Sequence, residues 1–140
     1  MLTKEFILAG NAIFTISNGK GTHYTFRVKC KDNDAPRLPV YFVSLLTGSD
    51  NTRDYSYMGV LSEYNGKVRL TNASRMTENA TSFRVINWAM EKVWSGKLLP
   101  DGYKIHHEGR CGRCARVLTV PSSIESGIGP ECATRLSNVA

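Results

Sequence analysis

The pair Cys111-Gly112-Arg113-Cys114, followed eighteen residues later by Cys132, constrains this chain more than any other feature. Two thiolates at C-x-x-C spacing can bite one metal ion from a tight turn, where small residues let backbone amides donate to sulfur. Pro130 suits the first position of a helix, which puts Cys132 in that helix's first turn. There the positive helix end and its free N–H groups stabilise a thiolate. Three cysteines leave a tetrahedral site one ligand short, and His106 and His107 lie just upstream. A strand over 103–107 would put Tyr103, Ile105 and His107 on one face and Lys104 and His106 on the other. The face carrying Tyr103 and Ile105 should point inward, so His107 is the preferred fourth ligand and His106 the alternative. The expectation is one structural Zn²⁺ on His107, Cys111, Cys114 and Cys132, a d¹⁰ ion suited to tetrahedral N/S ligation. Arg116 to Val120 would form a short strand leaving the turn, giving a treble-clef-like segment of knuckle, hairpin and helix. Cys30, remote in sequence, reads as a core or edge thiol.

The 140 residues fit one compact domain or a domain with a small appendage. Hydrophobic residues at 41% and charged residues at 21% exclude a disordered chain. No run approaches the roughly 18 apolar residues of a membrane span. Phe6-Ile7-Leu8-Ala9 is interrupted by Gly10 and Asn11, too short for a signal-peptide core. A cytoplasmic chain with no membrane association is therefore expected. In a reducing compartment its four cysteines serve as metal ligands or thiols rather than disulfides.

Ahead of the cysteines the chain reads as β and then α. Ala12 to Ser17 and Thr22 to Lys29 are β-branched and aromatic runs separated by Asn18-Gly19-Lys20-Gly21, a hairpin signal. In the second run Tyr24, Phe26 and Val28 alternate with Thr25, Arg27 and Lys29, so one face is buried and one is wet. A polar loop over 31–39 precedes an apolar strand, Val40 to Leu46, and a turn cluster over 47–51. Tyr55 to Tyr64 and Lys67 to Leu70 form another hairpin around Asn65-Gly66. Phe83, Ile86, Met90, Val93 and Trp94 then recur at helical spacing, with Thr81 or Ser82 as cap and Gly96 as stop. The expected fold is α+β: an antiparallel sheet of about five strands with one covering helix, then the zinc-binding segment. The core spans 1–100 and the zinc-binding segment, packed on it, 101–140.

No catalytic constellation emerges. His106-x-Glu108 ahead of Cys-x-x-Cys faintly matches the zinc deaminase signature, but only two residues separate Glu108 from Cys111 and Cys132 would fill the open position. Asn18 to Thr22 is no P-loop: Phe14 stands where its first glycine belongs and Gly21 where Ser or Thr should follow Lys20. The chain is read as not an enzyme. Its +6 charge permits an anionic partner, and Arg110, Arg113 and Arg116 are candidate contacts to a partner or to nucleic acid. They could equally offset the charge of a thiolate-rich centre. Tyr55, Tyr57 and Tyr64 are either a stacking platform or ordinary sheet packing.

The blocks His107-Glu108-Gly109-Arg110-Cys111-Gly112-Arg113-Cys114, Leu118-Thr119-Val120-Pro121 with Ser123-Ile124, and Gly127-Ile128-Gly129-Pro130-Glu131-Cys132 resemble a family of uncharacterised proteins common in tailed phages and prophages. Ala115 departs from that pattern, in which glycine is expected. Ala9 to Ala12, Tyr24 to Phe26 and Tyr41 to Val43 also resemble longer members. The resemblance implies a phage-encoded, metal-binding accessory protein of the host bacterial cytoplasm. In size and zinc character the chain is similar to metal-binding type II-A anti-CRISPR proteins acting on Cas9. That implies an inhibitor that binds a host protein, Cas9 specifically, and interferes with target DNA binding or cleavage. The alternative is a nucleic-acid-binding zinc module of a phage regulatory protein.

Overall fold

The computed structural model describes residues 2–31, 39–50, 53–118 and 121–137. Residues 32–38 of the expected polar loop, Asn51 of the turn cluster and Thr119-Val120 of the expected knuckle strand lie outside them.

The β-rich segments form the strands β1 (Asn11–Ser17), β2 (His23–Lys31), β3 (Val40–Leu46), β4 (Tyr55–Leu61) and β5 (Val68–Leu70). The first hairpin turn is held by the Asn18 side chain, which accepts from the Lys20 and Thr22 N–H groups at 2.8 and 3.2 Å. β4 stops at Leu61, three residues before the expected Tyr64, because the turn begins there: the Ser62 N–H donates to the Lys67 carbonyl. A sixth strand, β6 (Lys104–His107), pairs antiparallel with β1 and sets Ile105 opposite Ile16 and His107 opposite Phe14. The result is one antiparallel sheet in the order β5-β4-β3-β2-β1-β6, where about five strands were expected.

Helix α2 (Thr81–Ser95) covers one sheet face. It buries Ile86, Ala89, Met90 and Val93 at helical spacing among Phe14, Phe26, Val28, Val43 and Met58. Each full burial of such a side chain contributes about 1.5–3 kcal/mol. The helix stops at Gly96 in the left-handed region (φ 70°), as the sequence leads one to expect. Its start does not follow expectation. Ala80 takes the extended cap position with no side-chain cap, and Thr81 and Ser82 are already helical, with Ser82 buried. Two polar side chains tie the helix to the sheet edge. Asn87 accepts from the Val68 N–H at 2.8 Å and donates to the Val68 carbonyl at 3.2 Å, and Trp94 Nε1 donates to the Glu63 carbonyl at 3.0 Å.

Helix α1 (Lys4–Ile7) has no periodicity to announce it. Its four residues are capped by the Thr3 hydroxyl, which accepts from the Phe6 N–H at 3.3 Å. The turn buries Phe6 and Ile7 completely. Two short helices complete the chain, α3 (Pro121–Ser126) and α4 (Pro130–Ser137). Among the described residues no helix is long and apolar enough to cross a membrane.

Candidate metal centre

β6 delivers the chain to Gly109, and a tight hairpin follows. Arg110 bridges Val117, the Cys111 N–H donates to the Arg116 carbonyl at 2.8 Å, and the Leu118 N–H donates to the Gly109 carbonyl at 2.8 Å. The knuckle closes through the Ala115 N–H on the Cys111 carbonyl at 2.9 Å, with Ala115 held at φ 65°. α3 and the loop after it wrap back over this hairpin, and the Gly112 N–H donates to the Gly127 carbonyl at 2.7 Å. Pro130 opens α4, and Cys132 falls in its first turn as expected. The Sγ atoms of Cys111, Cys114 and Cys132 thereby lie within 4.8 Å of one another. Cys111 and Cys132 are buried and Cys114 is exposed.

This donor set fits a metal ion. Thiolates about 2.3 Å from a tetrahedral ion stand roughly 3.8 Å apart, so a small inward movement closes the group. Donors already face the sulfurs. Cys111 Sγ accepts from the N–H groups of Gly129 at 3.2 Å and Arg113 at 3.4 Å, and Arg113 Nη1 points at Cys132 Sγ from 3.8 Å. Burial raises the Cys111 thiol, but the amides of Gly129, Cys114 and Arg113 outweigh it and bring the group down to about 7. Burial pushes Cys132 the other way, above the ordinary thiol value, against the lowering effect of Arg113. The two sulfurs are thus shifted in opposite directions, Cys111 toward the thiolate and Cys132 toward the thiol.

The centre is seated on the core by Phe6. A Cβ at Gly112 would stand 2.8 Å from the Phe6 ring and one at Gly127 2.5 Å, so the ring lies directly against both backbones. The Asn11 N–H, at the start of β1, donates to the Gly112 carbonyl at 2.6 Å.

Other expected site residues are placed differently. His107, the preferred fourth ligand, is outside the sulfur group. Its Nδ1 accepts from the Gly109 N–H at 2.8 Å, so Nε2 carries the proton and donates to the Ile124 carbonyl at 2.5 Å. The imidazole is a brace between β6 and α3, with both nitrogens committed. His106, the alternative, is exposed on the other sheet face, 3.9 Å from Glu108. Among the described residues no His, Asp, Glu or further Cys completes the group of three.

Of the knuckle arginines only Arg113 reaches a sulfur. Arg110 Nη1 donates to the Ala115 carbonyl at 3.1 Å, Arg113 faces Cys132, and Arg116 pairs with Glu131 at 3.7 Å on the surface. Cys30 sits half-buried at the rim of the core and hydrogen-bonds with Tyr41. The Arg113–Cys132 contact and the Gly129 donor were not evident in the sequence; the spacing of Gly129 from Cys132 across the helix start was their only local signal.

A comparison with known protein families places one match on this centre. The family of unknown function DUF6011 matches residues 106–137. No curated protein and no solved structure matches the chain. The DUF6011 match starts in β6 and ends at the last residue of α4, so it encloses the hairpin, α3 and all three sulfurs and leaves out the other five strands.

Proposed function

We propose that this chain is a zinc-stapled binding protein, not an enzyme, which is phage-encoded and inhibits a host nucleic-acid enzyme, Cas9 specifically, by protein–protein contact. The observation that carries the zinc reading is the convergence of Cys111, Cys114 and Cys132 from a knuckle and a helix start, with two of the three sulfurs buried. Clustered thiolates suit zinc, and an ion that ties the knuckle to the start of α4 would contribute its binding free energy to folding. Glu108, which deaminase chemistry would need beside the metal, instead accepts from the Thr15 hydroxyl on the far face of the sheet. The phage origin rests on the resemblance of residues 107–132 to phage and prophage proteins, and the choice of Cas9 on the similarity in size and zinc character to metal-binding anti-CRISPR proteins.

The test is to add the zinc-loaded chain to a Cas9–guide complex before target duplex and follow both co-elution and cleavage. The expected result is a stable complex that forms without DNA and no longer cuts. Separate elution with unimpaired cleavage at excess chain contradicts the Cas9 assignment.

A further inference from the structure

One face of the sheet lies under α2, and no helix among the described residues covers the face that carries Arg27 and Lys29. On that face a groove of about 820 Å³ crosses β6, β1 and β2 and reaches Tyr55 on β4. Among the described residues its lining carries Arg27, Lys29 and Arg110 with the imidazoles of His23 and His106, against a single carboxylate, Glu108. That carboxylate is already engaged by Thr15. Among the described residues the groove therefore presents cations with little internal compensation, Arg110 being the knuckle arginine that reaches it.

Its floor holds an unusual pair. The Arg27 guanidinium lies 4.3 Å above the Tyr55 ring, and Arg27 Nε and the Tyr55 hydroxyl are both buried with no hydrogen-bond partner among the described residues. Buried polar atoms are nearly always partnered, so two adjacent exceptions mark the point under the groove where the described residues leave polar groups unsatisfied. The aromatic surface continues across the same face. Phe42, opposite Lys29, and Tyr57, opposite Ser44, are half-buried with ring centroids 6.1 Å apart.

We propose that this open face binds single-stranded nucleic acid, with phosphates on Arg27, Lys29 and Arg110 and bases against the aromatic side chains of β3 and β4. A groove that tracks a backbone with cations beside rings that accept any base's π-face is the single-strand platform. A duplex offers phosphates but keeps its bases stacked away from such rings, and an acidic peptide uses the cations but leaves the rings idle. The inference goes beyond the zinc centre and the Cas9 assignment and stands or falls without either.

The experiment is fluorescence anisotropy of the zinc-loaded full chain with labelled oligothymidine of about 12 nucleotides, within the site size of such platforms, over a salt series. Lys29 and Arg110 are both exposed, so Lys29→Glu and the double variant Lys29→Glu/Arg110→Glu are made, with thermal midpoints recorded. The expected result is binding at low salt that weakens about tenfold or more in the double variant. The slope of log K against log salt should fall by about 1.4, at about 0.7 for each lost phosphate contact. Lys29→Glu alone is expected to show about half that change in slope, and Lys92→Glu, on α2, to bind like the parent. Absence of salt-dependent binding overturns the proposal, as does parent-like binding by Lys29→Glu and the double variant. Displacement of the oligonucleotide by polyglutamate as readily as by unlabelled oligothymidine overturns it in favour of an acidic protein segment.

Discussion

The Gly129 amide nitrogen lies 3.2 Å from Cys111 Sγ, joining the residue that precedes α4 to the first cysteine of the knuckle. The same residue's carbonyl accepts from the Ala133 N–H at 2.9 Å, so one residue serves both the Cys111 sulfur and the first turn of the helix. Cys132, which must reach the same ion, is carried on that turn. The last segment is therefore organised around its sulfurs.

Gly127 and Gly129 respond differently to a methyl group. At Gly127, φ is 77° and a Cβ would stand 2.5 Å from the Phe6 ring; at Gly129 the nearest atom is Cys111 Sγ at an ordinary 3.8 Å. Gly127→Ala should destabilise the folded chain by about 1–3 kcal/mol through strain and overpacking. Gly129→Ala should leave the denaturation midpoint close to the parent's.

Ala115 stands at φ 65°, where an L-residue pays roughly 1–2 kcal/mol that glycine does not. Part of the gain is offset by the larger unfolded-state entropy of glycine. Ala115→Gly is expected to raise stability by about 0.5–1 kcal/mol, read from urea denaturation of the metal-loaded chain, without altering metal content.

The brace made by His107 separates a structural histidine from a ligand. His107→Ala leaves the Gly109 N–H and the Ile124 carbonyl without their partner and should cost about 1–3 kcal/mol. Metal content should stay at the parent level. Loss of the ion from His107→Ala protein that is still folded would make His107 the fourth ligand after all.

In the metal-free chain Cys111 adds a pH dependence of definite sign. Its folded value of about 7 lies below the ordinary 9.0, so the unfolded chain binds more protons between the two. Its stabilising contribution is present above 9 and is lost as pH falls through 7. The stability difference between metal-free parent and metal-free Cys111→Ser should therefore shift in the parent's favour from pH 7 to 9, measured under reducing conditions. Cys132, raised by burial, acts in the opposite direction only above 9.

Much of this architecture was legible because its signals are local. Alternation in β2 marked Phe26 and Val28 as buried and Lys29 as wet, and the structure divides them so, whereas Arg27, also expected wet, is half-buried over Tyr55. Gly96 ended α2, and Pro130 opened α4 with Cys132 in its first turn. What stayed hidden depends on partners distant in the chain. The pairing of β6 with β1 joins Ile105 to Ile16, and no local pattern specifies which edge a fifth or sixth strand takes. His107 looked like a ligand because strand parity placed it inward and a ligand was wanting. Its actual partner, the Ile124 carbonyl, lies in a helix whose position is set by Phe6 and the Gly112–Gly127 bond. The basic groove was hidden for the same reason: Arg27 and Arg110 become neighbours only once β6 has docked beside β1.

The most direct measurement is the metal content per chain, by elemental analysis, of the parent and of Cys111→Ser, Cys114→Ser, Cys132→Ser and Cys30→Ser. One zinc ion per chain is expected in the parent and in Cys30→Ser, with loss of zinc and a less stable C-terminal segment in the other three. A parent without zinc, or stoichiometric zinc retained by all three knuckle and helix variants, would contradict the three-cysteine centre.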